Sequence, residues 1–124
     1  MSAPLHTGGT GETGRTGETL AAEYYRSKGF DVLDLNWRHS YYEIDLVAAK
    51  GGLLHLVEVK TRRGGEFGFP EESIDHRKLY RLMKAGVRYQ SQHPQWKYLQ
   101  YDVLSIRLHA GAPPEYYLIE DVYG

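Results

Sequence analysis

Two short segments carry the side chains best suited to chemistry: Tyr42-Glu43-Ile44-Asp45-Leu46-Val47 and Leu56-Val57-Glu58-Val59-Lys60-Thr61. Both have the apolar character of strands, in which successive side chains point to opposite faces. Glu43 and Asp45 are therefore expected on one face, with Ile44 and Leu46 on the other. By the same rule Glu58 and Lys60 point together, with Val57 and Val59 behind them. Lys50-Gly51-Gly52 between the segments has the residues of a tight hairpin turn, and pairing through it brings three carboxylates and one ammonium together. Such a group is costly, because neighbouring carboxylates repel and burial penalises each charge. A bound divalent cation resolves the conflict. Magnesium, or manganese in its place, takes oxygen ligands, and magnesium commonly uses one or two protein carboxylates with water and phosphate completing the shell. Lys60 can then orient or deprotonate an attacking water, or stabilise charge on a phosphate. The chemistry these residues suit is metal-assisted phosphodiester hydrolysis. The bland alternative is a half-exposed hairpin whose charges are solvated or paired across strands.

The remaining elements must position that hairpin. Residues 7–17 are rich in Gly and Thr with almost no apolar side chain, so a flexible tail is expected over 1–15 and a single folded domain over 16–124. Thr16 or Gly17 can cap a first helix, over about residues 16–28, with Glu18 in its first turn. Leu20, Ala21, Tyr24 and Tyr25 recur in it at helical spacing, and Gly29 stops it. Strands are expected from Phe30 to Leu35, Tyr41 to Ala49 and Leu53 to Thr61, as an antiparallel meander. Gly64 to Pro70, with Phe67 and Phe69, reads as a loop into a second helix from about Glu72 to Gln92. There Leu79, Leu82, Met83, Gly86 and Tyr89 line one face, and Arg77, Arg81, Lys84 and Arg88 another. Strands from Tyr101 to Arg107 and Tyr116 to Ile119, separated by a turn at Pro113-Pro114, complete the order α-β-β-β-α-β-β. This is an α/β arrangement, a mixed sheet flanked by helices.

The 124 residues hold 15 Lys and Arg against 16 Asp and Glu, which excludes a protein that coats nucleic acid indiscriminately. The balance is uneven along the chain. Residues 60–88 hold eight basic and four acidic side chains, a local charge of +4 that begins at Lys60 and leaves −5 for the remainder. Arg62, Arg63, Arg77, Lys78 and Arg81 are the candidates for phosphate contact, with DNA as the expected partner. Trp37, Tyr41 and Tyr42 have rings able to stack on unpaired bases, although most of the 11 tyrosines are expected in the core or on sheet faces. The absence of cysteine excludes disulfides, thiolate metal sites and cysteine nucleophiles. The six histidines show no paired ligand spacing, and no phosphate-cradling glycine loop or nucleophile elbow is found. With no apolar segment of membrane-spanning length, a cytoplasmic protein without a membrane partner is expected.

Asp45 followed by Glu58-Val59-Lys60 resembles the Asp…Glu-x-Lys signature of the PD-(D/E)XK nuclease superfamily, with its restriction-endonuclease-like fold. Gly17-Glu18, Asn36-Trp37-Arg38, Glu43-Ile44-Asp45-Leu46, Val57 to Arg62, Phe67-Gly68-x-Pro70 and Tyr101-Asp102-Val103 together resemble the YraN-type family of bacterial endonuclease-like proteins, which is similar to archaeal Holliday junction resolvases. The likeness spans residues 14 to about 107. It implies that Asp45 and Glu58 bind metal, that Lys60 is the catalytic lysine and that Glu18 reaches the same metal from the first helix. Glu43 occupies a family motif position beside them. Tyr42 stands where that family usually has glycine, which bears on how the strand approaches DNA. The resemblance further implies a magnesium- or manganese-dependent endonuclease acting on DNA, branched or repair intermediates included, and working as a homodimer. Without it, Glu18 reads as an acid compensating the helix dipole, and the fold as a binding module without turnover is the rival.

Overall fold

The computed structural model describes residues 10–63 and 74–123, and two helices and five strands follow in the expected order. They are α1 (Thr10–Ser27), β1 (Asp31–His39), β2 (Tyr42–Lys50), β3 (Leu53–Arg63), α2 (His76–Gln92), β4 (Tyr98–His109) and β5 (Ala112–Ile119). The strands lie side by side in chain order. β1, β2 and β3 form the antiparallel meander, turned between β2 and β3 by Gly51 and Gly52 with φ of 61° and 82°. That left-handed pair is what a two-residue hairpin turn demands. β4 runs parallel to β3, as the long crossover through α2 permits, and β5 returns antiparallel.

Each helix covers one face of the sheet. Ala21, Ala22 and Tyr25 of α1 pack on Leu46, Ala48, Val57, Leu104 and Ile106. On the other face Leu79, Leu82, Ala85 and Tyr89 of α2 pack on Ile44, Leu54, Leu56 and Val103. β3 and β4 lie between two helices, and accordingly each has an unbroken buried run, Leu54 to Val57 and Tyr101 to Ile106.

Four local expectations are corrected. α1 starts at Thr10, not near Thr16, because no proline interrupts the segment and glycine only weakens a helix. Gly17 is consequently inside the helix, and its value is proximity: any Cβ there would strike the side chain of Thr61 on β3. α2 starts at His76, where Asp75 caps it by accepting from the backbone N–H groups of Arg77 and Lys78 at 2.9 and 3.5 Å. Pro113 and Pro114 lie within β5, an edge strand that tolerates missing donors, while Ala110 and Gly111 make the turn. The Gly64 to Pro70 loop with Phe67 and Phe69 is outside the described residues. Among the described residues, no helix is long and apolar enough to cross a membrane.

Candidate active site

The expectation that Ile44 and Leu46 share a face fails at an informative place. Ile44 packs in the α2-side core and Leu46 in the α1-side core, so β2 swaps faces at Asp45. Two irregularities coincide there. Asn36, the residue of β1 that falls opposite Asp45, has φ of 52°, in the left-handed region that asparagine tolerates better than most residues. The β2–β3 ladder ends at Leu46 opposite Val57, so β2 leaves β3 just before the acid. The next inward donor on β3, the backbone N–H of Val59, is taken up by the Asp45 side chain: Oδ2 accepts it at 2.8 Å. Asp45 thus closes the end of the ladder with its own carboxylate.

Glu58 and Lys60 continue the α2-side alternation of β3, following Leu54 and Leu56, while Val57 and Val59 belong to the α1-side core. Both acids are partly buried, and they feel each other. Burial raises the Asp45 carboxyl above its ordinary value, outweighing the Val59 hydrogen bond, with Glu43 adding to the rise and Lys78 and Arg38 opposing it. Burial, followed by repulsion from Asp45, pushes Glu58 up to about 7. Lys78 counters that repulsion more than Lys60 does. The first turn of α2 therefore delivers a cation to both acids, a closer role for Lys78 than the phosphate contact read from the sequence.

Beside the acids an open cavity of about 500 Å³ is lined by Lys60 and Arg62 from β3 and by Arg77 and Lys78 from α2, with Asp75 among them. Arg63 and Arg81 are exposed and do not line it. Glu43 is exposed at the rim, its Oε2 3.6 Å from Nη2 of Arg38 on β1, yet its charge reaches both acids. Glu18 follows Gly17, which abuts Thr61, and by alternation Thr61 points to the α1 side of β3, away from Glu58 and Lys60. Glu18 is not among the charges that bear most on Asp45 or Glu58. Among the described residues, no group of three or more Asp, Glu or His side chains is arranged to hold a metal. The structure thus brings Asp45, Glu58, Lys60 and Lys78 within electrostatic reach of one another, and sets Arg62 and Arg77 beside Lys60 and Lys78 around the cavity.

The elements that build this site lie within a segment, residues 17–106, that matches the family model described as "Uncharacterised protein family UPF0102". The chain belongs to the UPF0102 family. A UPF0102 protein of Rhodococcus opacus (strain B4) is 39% identical over 113 residues, covering 89% of this chain and 94% of the relative. One from Syntrophomonas wolfei subsp. wolfei is 43% identical over 101 residues, covering 81% and 88% respectively. One from Dictyoglomus turgidum is 41% identical over 98 residues, covering 78% and 83%. The YraN-type resemblance is therefore borne out at the level of the family.

This UPF0102 chain also contains a polar centre at the Tyr101-Asp102-Val103 motif, to which the sequence alone assigns no role. Asp102, 1% exposed in the middle of β4, accepts four hydrogen bonds. Its Oδ2 takes the Tyr25 hydroxyl of α1 and Nδ1 of His55 on β3, both at 2.9 Å. Its Oδ1 takes the Gln100 amide at 2.9 Å and the backbone N–H of Asp121 at 3.1 Å. Burial works against the charge, but these donors outweigh it and hold the Asp102 carboxyl below its ordinary value. The Tyr25 hydroxyl is pushed well above its own by burial and by that carboxylate. Buried at Tyr25, His55 and Asp102, the network ties α1, β3, β4 and the C-terminal segment into one frame. An aspartate between Tyr101 and Val103 in an apolar strand is the available signal.

Proposed function

We propose that this UPF0102 protein is a metal-dependent endonuclease that hydrolyses DNA phosphodiester bonds, with branched or repair intermediates as its substrates and the cytoplasm as its setting. The observation that carries the reading is the partly buried Asp45–Glu58 pair, held by adjacent strands, with Lys60 two residues along β3 from Glu58 lining a cavity together with Arg62, Arg77 and Lys78.

The donor set fits magnesium or manganese. Two carboxylates raised by burial and mutual repulsion supply hard oxygen ligands and gain from a cation between them. Asp45 and Glu58 would hold the ion, which when bound polarises a phosphoryl oxygen and makes a ligated water more acidic. Asp45 keeps one oxygen on Val59 N–H, and that bond fixes the direction of the other. Lys60, on the same face of β3 as Glu58, orients the attacking water or neutralises charge on the phosphate. Arg62, Arg77 and Lys78 draw the backbone into the cavity, and Arg63 and Arg81 extend the attraction outward. Glu43, paired with Arg38, adds negative potential at the rim rather than a ligand.

Purified protein given magnesium or manganese is expected to cut duplex, single-stranded or four-way-junction DNA, and Glu58→Ala and Lys60→Ala to abolish the cutting. If all three substrates survive with both metals, or the variants cut like the parent, the reading is wrong. A non-catalytic nucleic-acid-binding module is the second reading, favoured by the four cations, Lys60, Arg62, Arg77 and Lys78, that line the cavity. It is distinguished by salt-sensitive binding that needs no metal and survives Glu58→Ala.

A further inference from the structure

The β2–β3 ladder begins only at Leu46 and Val57, while β1 and β2 stay paired beyond it, Trp37 with Ile44, Arg38 with Glu43 and His39 with Tyr42. These residues therefore form a two-stranded ribbon that is not paired with β3, at the end of the sheet that carries the acids. The ribbon is braced from below by α2. Tyr89 meets the Trp37 ring edge-on, with centroids 5.3 Å apart, and its hydroxyl donates to Asp34 at 2.8 Å. The Arg88 guanidinium lies 5.4 Å from the centre of the Tyr42 ring, and His39 stacks along Trp37.

Two of the three aromatic rings with the capacity to stack on bases are thus engaged inside the fold. The third is not: Tyr41, at the turn beside Ser40 (φ 59°), is 98% exposed. A two-residue hairpin turn favours asparagine or glycine, so the turn itself gives no reason for a tyrosine. Tyr41 comes four positions before Asp45, which places it within about 13 Å of that acid along the strand. That distance corresponds to about four stacked bases at 3.4 Å each.

We infer that Tyr41 stacks on an unpaired base within a few nucleotides of the phosphate held at Asp45 and Glu58, so that the site selects nucleic acid with unpaired bases over uninterrupted duplex. The inference rests on the nuclease reading above and names the substrate feature it requires. A matched duplex offers no free base face at that distance, whereas a single strand, a bulge or a junction with frayed bases does. The braced ribbon lowers the ordering cost of presenting the ring, because its base is already fixed against α2.

The test uses oligonucleotides carrying 2-aminopurine at successive positions, as single strand, as duplex with a two-base bulge and as matched duplex, bound in EDTA so that nothing is cut. Binding is expected to quench the fluorophore at unpaired positions only. Tyr41→Ala should weaken binding to the unpaired substrates by about 5- to 150-fold while leaving matched duplex unchanged. Tyr41→Phe should retain both the quenching and the affinity. If Tyr41→Ala binds unpaired substrates as the parent does, the stacking role is refuted, yet metal-dependent cutting by the parent keeps the nuclease reading intact. If the parent binds none of the three nucleic acids, both fall together.

Discussion

Replacing Glu58 by glutamine should make the metal-free protein more stable, and only on the alkaline side. In the fold the Glu58 carboxyl is raised to about 7, against 4.5 for an ordinary glutamate, chiefly by burial and then by Asp45. Between those two values the native state holds a proton that the unfolded chain releases, so stability declines as pH rises through this window. Each pKa unit corresponds to about 1.4 kcal/mol, so the penalty approaches about 3 kcal/mol once the group is ionised in both states. Glu58→Gln would remove it, because a neutral amide has no charge to bury and no repulsion with Asp45. In EDTA the variant should match the parent near pH 4 and exceed it by up to about 3 kcal/mol at pH 8, a rise in Tm of about 10 °C for a domain of this size. Magnesium should close most of that gap at pH 8: at a hundred times its Kd it stabilises the parent by about 2.7 kcal/mol and the variant little. Urea and thermal denaturation at pH 4, 6 and 8 read all of these quantities. A parent whose metal-free stability is flat from pH 5 to 8, or a variant no more stable than the parent at pH 8, refutes the reasoning.

Asp102→Ala should cost about 3–5 kcal/mol in urea denaturation, since it strands the buried donors of Tyr25 and His55. Because the Asp102 carboxyl is depressed in the fold, its contribution is present above the ordinary aspartate range and fades as pH falls below it. Gly86→Ala places a Cβ 2.5 Å from the Tyr101 hydroxyl oxygen, which itself donates to the Met83 carbonyl, and should destabilise by about 1–3 kcal/mol without changing nucleic-acid affinity. Replacing both Arg77 and Lys78 by glutamine should flatten the dependence of log affinity on log salt by about one to two, as read by fluorescence anisotropy titrations.

The architecture is legible wherever a local pattern decides it. Alternation locates the three strands of the meander, Gly51-Gly52 marks their turn, and the spacing of Leu79, Leu82, Gly86 and Tyr89 sets the buried side of α2. The proximity of Asp45, Glu58 and Lys60 follows from the same pairing. What escapes depends on partners distant in the chain. The face swap at Asp45 requires Asn36 in a left-handed conformation on the neighbouring strand, which alternation cannot express. Tyr25 and Asp102 are 77 residues apart, and each alone reads as an ordinary core or strand residue. The role of Glu18 rests on resemblance alone, and the approach of Gly17 to Thr61 that brings α1 onto β3 shows in neither segment by itself.

The hydrogen bond from Val59 to the Asp45 carboxylate has an evolutionary corollary. A side chain standing in for a peptide carbonyl is retained for the sake of the backbone whether or not any reaction occurs. A lineage that abandoned catalysis would still be held to aspartate or asparagine at position 45, because alanine would leave a strand donor unanswered. Glu58 has no such second duty and is released as soon as its chemistry is no longer needed. Within such a lineage position 58, not position 45, would record whether the proposed activity persists.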